Sequence, residues 1–72
     1  MQTPVDDVIE AMATAAEEDG ISPPYISGRL VIEAEYFRGA VVWTADHKRV
    51  SRDQVAAMIT AAREQRSKLN LT

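Results

Sequence analysis

The run from Leu30 to Ala45, LVIEAEYFRGAVVWTA, constrains the fold more than any other stretch of the chain. Apolar residues alternate on both sides of Arg38-Gly39, and Gly39 supplies the positive φ that a two-residue hairpin turn needs. With that turn, Tyr36 faces Val41, Ala34 faces Trp43 and Ile32 faces Ala45. These six side chains and Leu30 share one side of the ribbon. The other side receives Glu33, Glu35, Phe37, Ala40, Val42 and Thr44, a wetter set. The collection of apolar residues on one side supports this register.

A lone two-stranded ribbon is not stable in water. Two flanking segments carry the pattern of covering helices. Over residues 4–19, Val5, Val8, Ile9, Met12 and Ala16 recur at helical spacing. Thr3 is the expected N-cap, Pro4 suits the first helical position, Asp6 can reach back to the cap, and Gly20 is the expected stop. Over residues 52–68, Val55, Met58, Ile59 and Ala62 form the apolar stripe. There, Ser51 with Gln54 makes a capping box, and Val50 with Val55 a hydrophobic staple.

The remaining segments read as connections. Residues 20–29, GISPPYISGR, hold two prolines and read as a loop whose Tyr25 and Ile26 fold back onto the core. Arg49-Val50 is placed to add a short third strand. Residues 69–72 read as a tail, with Leu69 in reach of the core. The expected fold is a single small α+β domain over residues 1–72: helix, β-hairpin, optional short strand, helix. Both helices pack on the sheet face that carries Trp43. This element order is similar to that of some small phage head-completion proteins, a likeness of topology that no motif carries.

Composition limits the chemistry. A chain of 72 residues buries only about 60% of the surface its unfolded form exposes, so its stability is marginal. There is no cysteine to staple it or bind metal, and one histidine does not make a zinc site. The spacing of oxygen ligands in calcium loops is also absent. No cofactor and no metal are expected. Eleven alanines, seven valines and five isoleucines against three leucines predict a thin, closely packed core. No apolar run approaches the ~20 residues of a membrane span, and no basic-then-apolar leader opens the chain. The expectation is a cytoplasmic protein with no membrane partner.

Charge is distributed unevenly. Residues 1–28 carry six acids and no base, whereas residues 47–72 carry six bases and two acids, within a net charge of −3. The ends can neutralise each other within the fold or between copies, or face partners. Two surfaces follow. The acidic one comprises Asp7, Glu10, Glu17, Glu18 and Asp19. Its last three members put negative charge at the negative end of a helix dipole, which costs about 0.3–1 kcal/mol each when exposed. The basic one comprises Lys48, Arg49, Arg52, Arg63 and Lys68. Arg52 and Arg63 stand eleven residues apart, about 20° around a helix and roughly 17 Å along it, a line suited to phosphates. Phe37 and Arg38 at the hairpin tip form a smaller candidate, an exposed aromatic beside an arginine.

The stretch TADHKRVSRDQ, residues 44–54, is the most chemically crowded. His47 beside Asp46 suggests a base held by a carboxylate, but catalysis also needs a nucleophile, an oxyanion site and a cleft. The stretch is better read as a solvated turn leading into a capped helix. The expected function is therefore non-catalytic protein–protein interaction through charged surfaces, as in a small phage or mobile-element accessory or inhibitor protein. The alternatives are a nucleic-acid-binding protein using the basic helix, and an assembly subunit that self-associates, for instance as a homodimer.

Overall fold

The computed structural model describes residues 3–70, with side chains described for residues 3–66. Helix α1 spans Val5–Asp19. Strands β1 (Tyr25–Ser27), β2 (Leu30–Phe37), β3 (Ala40–Ala45) and β4 (Lys48–Val50) follow, and helix α2 spans Arg52–Asn70. The strands form one antiparallel sheet in the order β1-β2-β3-β4. Both helices pack on one face of it, so the domain is a small α+β fold with two layers.

Each strand connection is a two-residue turn. At Arg38-Gly39 both φ values are positive, 52° and 83°, as in a type I′ turn. The β2–β3 register is the one expected: Tyr36 opposite Val41, Ala34 opposite Trp43, Ile32 opposite Ala45. At Asp46-His47 both φ values are again positive, 50° and 69°. The crowded stretch is thus the tip of a second hairpin, and its β4 arm is the short extra strand, starting at Lys48.

The loop expected over residues 20–29 is corrected. Its second half is strand β1, turned into β2 by Gly28-Arg29, where only Gly28 has positive φ. Its first half also runs along β2. The Ser22 N–H donates to the Ala34 carbonyl at 2.8 Å, and the Tyr36 N–H donates to the Gly20 carbonyl at 2.9 Å. Between Ser22 and Tyr25 lie two residues, Pro23 and Pro24; between their partners Ala34 and Ile32 lies only Glu33. The prolines are a bulge on an edge strand, where a missing N–H costs nothing and deters edge-to-edge pairing. Alternation then sends Tyr25 inward and Ile26 outward, so Tyr25 touches the core but Ile26 does not.

The start of α1 is also corrected. Pro4, not Thr3, occupies the cap, with extended ψ of 146° and no side-chain capping bond. Its carbonyl accepts from the N–H groups of Asp7 and Val8. A proline at this position removes one of the orphan donors of the first turn, its own missing N–H. At the other end Gly20 adopts φ 88° and donates to the Ala16 carbonyl at 2.8 Å. Helix α2 opens with a complete capping box: Ser51 N–H to Gln54 Oε1 at 2.8 Å, Gln54 N–H to Ser51 Oγ at 3.1 Å. It continues to Asn70, past the expected end at residue 68; the side chain of Leu69 lies outside those described.

The core joins Ile9, Met12, Ala13 and Ala16 of α1 to Ile32, Ala34, Trp43 and Ala45 of the sheet and Val55 and Ile59 of α2. Alanine lets bulk approach: Ala34 sits directly opposite Trp43. Ile9, Ile32, Ile59 and Val55 are fully buried and each stabilises the fold by about 1.5–3 kcal/mol. Among the described residues, no helix is long and apolar enough to cross a membrane.

Candidate interaction surfaces

With both helices on the Trp43 side, the outer side of the sheet is uncovered. Strand alternation and register assign its members. Ile26 pairs with Val31, Ile21 with Glu35, Glu35 with Val42, Phe37 with Ala40, and Glu33 with Thr44, which in turn pairs with Arg49. Ile21, Ile26 and Phe37 are 52%, 64% and 55% exposed. Among the described residues, three of the four large apolar side chains left exposed therefore share this face; Tyr36 is the fourth. Phe37 lies under the Arg38 guanidinium, 5.2 Å from ring centroid to Cζ. Glu33 and Glu35 stand on a central strand of the same face.

Reasoning from sequence placed the wetter residues of the hairpin here but missed Ile21 and Ile26, because the Pro-Pro pair hid the strand that carries them. A signal was present in Ser27-Gly28-Arg29-Leu30, a glycine-led turn between two β-rich triplets.

The acidic candidates are all exposed. Glu17, Glu18 and Asp19 close α1 without any base in its last turn, and the chain passes from them through Gly20 straight to Ile21. They end the helix layer, and Ile21, two residues after Asp19, opens the β1 edge of the sheet. Glu10 has a different role: its Oε1 accepts from Arg52 Nη2 at 2.6 Å. Asp7 lies in the first turn of α1.

The basic candidates do not share one surface. Arg49 belongs to the outer face, whereas Arg52 and Arg63 lie on α2, which covers the inner face. Arg52 is held by Glu10, Arg63 is half-buried, and Lys48 is exposed beside the second hairpin tip. The side chain of Lys68 lies outside those described.

His47 and Asp46 occupy the tip of the second hairpin, both exposed. Asp46 is engaged elsewhere: its Oδ1 accepts from the Val31 N–H at 3.1 Å. Among the described residues, no cluster of three or more His, Asp or Glu side chains is arranged to hold a metal ion.

A second concave region lies between the Gly28-Arg29 turn and the latter half of α2. It is a groove of about 870 Å³ with Leu30, Met58 and Ala62 among its apolar lining and Arg29 and Arg66 among its polar lining. Neither arginine was singled out from sequence, since nothing along the chain brings residue 29 near residue 66. Comparison with known proteins finds no matching family model, no similar curated protein and no similar solved structure.

Proposed function

We propose that the chain is a non-catalytic protein-binding module whose partner docks on the outer face of the sheet. The observation that carries this reading is the gathering of Ile21, Ile26 and Phe37 on the one sheet face that no helix covers. Isolated exposed apolar residues are ordinary, but several on one uncovered face are the usual mark of an interface. Arg38 stacked on exposed Phe37 adds an arginine, a residue type enriched at binding hot spots, to the end of this face.

Charge defines the partner. Glu35 lies in a row with Ile21 and Val42, and that row contains no base. The strands of this face carry two carboxylates, Glu33 and Glu35, against one base, Arg49, so two copies stacked face to face would meet with like charge in excess, which disfavours self-association through the face. The reading therefore favours a different protein that presents lysine or arginine opposite Glu33 and Glu35, with apolar side chains flanking them to meet Ile21, Ile26 and Phe37.

The test is retention of protein on the immobilised chain. Wild type is compared with Ile26→Ser/Phe37→Ser and with Glu35→Lys, each checked for native circular dichroism. Retention of one species by wild type and its loss in both folded variants supports the reading. Equal retention by all three refutes it.

A further inference from the structure

The groove between α2 and the Gly28-Arg29 turn has a chemistry opposite to that of the outer face. Its lining holds two guanidinium groups, Arg29 and Arg66, and no acid, in a chain whose net charge is −3. Among the described residues, neither arginine is in a salt bridge. Between them lies an apolar floor in which Leu30, Met58 and Ala62 are only half-buried. We propose that this groove receives an acidic amphipathic helix from another protein.

Shape and charge select that occupant. From Met58 to Arg66 the groove follows α2 for eight residues, about 12 Å or two helical turns. Ala61 and Ala62 keep the α2 surface low, which allows a second helix to approach to the usual interaxial distance of about 8–10 Å. Apolar residues at i, i+3 and i+4 of the incoming helix cover Met58, Leu30 and Ala62. Carboxylates flanking that stripe meet Arg29 on the turn side and Arg66 on the helix side, each able to form a bidentate pair. The α1 helix of a second copy does not qualify, because its apolar stripe is already buried in its own core.

The test uses the ¹⁵N-labelled chain and designed 14-residue helical peptides. Each has an apolar stripe of Ala, Val or Leu flanked by glutamates, and each has a counterpart with lysines in place of the glutamates. Decanoate serves as a small amphipathic carboxylate. At least one glutamate peptide is expected to shift the amide signals of residues 28–30 and 58–66, with the lysine peptides silent there. Arg29→Glu/Arg66→Glu should weaken that peptide at least tenfold and admit its lysine counterpart. The folded variant Ile26→Ser/Phe37→Ser is not suited as a control, since Ile26 also lines the groove rim; Glu35→Lys is, and should bind the peptide as wild type does. The proposal is overturned if no glutamate peptide shifts these signals. It is equally overturned if charge reversal at Arg29 and Arg66 changes nothing, or if decanoate shifts them while the peptides do not. Because Glu35→Lys abolishes only the outer-face reading, the two failures are distinguishable.

Discussion

Asp46 and Val31 exchange two hydrogen bonds, one of them through a side chain. The Asp46 N–H donates to the Val31 carbonyl at 2.9 Å, and the Val31 N–H donates to Asp46 Oδ1 at 3.1 Å. The pair continues the β2–β3 register by one step. The left-handed backbone at Asp46, φ 50°, ends the regular ladder, and the carboxylate supplies the acceptor for Val31 instead. Ser22 does the same on the other edge of β2: its N–H donates to the Ala34 carbonyl while its Oγ accepts from the Ala34 N–H at 3.1 Å. Short polar residues thus complete both neighbours of β2 where the ladder breaks.

The Asp46 bond requires an acceptor, not a charge. Asp46→Ala is expected to lower stability by about 0.5–1.5 kcal/mol, and Asp46→Asn by less, since asparagine keeps both the oxygen and the tolerance for left-handed φ. Urea denaturation of the two variants decides the point. Equal losses would contradict the assigned role.

Ser22 is buried, 4% exposed, so its loss should be felt more. Ser22→Ala leaves the Ala34 N–H without its acceptor in a dry site and should cost about 1–3 kcal/mol. Ser22→Thr should be better tolerated than alanine if the hydroxyl is what matters. The check is thermal denaturation alongside exchange of the Ala34 amide, which should lose protection in Ser22→Ala.

Glu10 and Arg52 form the one salt bridge between acidic α1 and basic α2 among the described residues. Their side chains are 66% and 50% exposed, so a double-mutant cycle should give a coupling below about 1 kcal/mol that shrinks with added salt. A coupling of several kcal/mol would mean that charge matching of the two helices organises the fold.

The acids closing α1 should be a stability defect. Glu18→Lys or Asp19→Lys is expected to raise stability by about 0.3–1 kcal/mol each through the helix dipole. Chemical denaturation at low ionic strength checks this. A loss on substitution would show that these carboxylates have stabilising contacts within the domain.

Much of this fold was legible in the sequence because the strongest signals were local. Arg38-Gly39 fixed the register of β2 against β3, and Ser51 with Gln54 marked the start of α2. Both depend on residues within a few positions of each other. The signals that failed were those that the chain splits. Pro23-Pro24 broke the alternation that would have joined Ile21 to Ile26, although a bulge absorbs the two prolines. Pro4 took the cap itself and left Thr3 without a role. The charged candidates were legible as composition but not as surfaces. Arg49 and Arg52 are three residues apart, yet a strand-to-helix junction sends them to opposite sides of the sheet. Arg29 and Arg66 are brought together only by the path of α2.

The central claim is that the open sheet face meets another protein. A photo-reactive phenylalanine analogue at Phe37 tests it most directly, with the same group at Ala57, exposed on α2, as the control. Irradiation in native extract is expected to give one discrete protein adduct from position 37, absent from position 57 and lost when Glu35→Lys is added. The same adducts from both positions, or none from position 37, would contradict the claim.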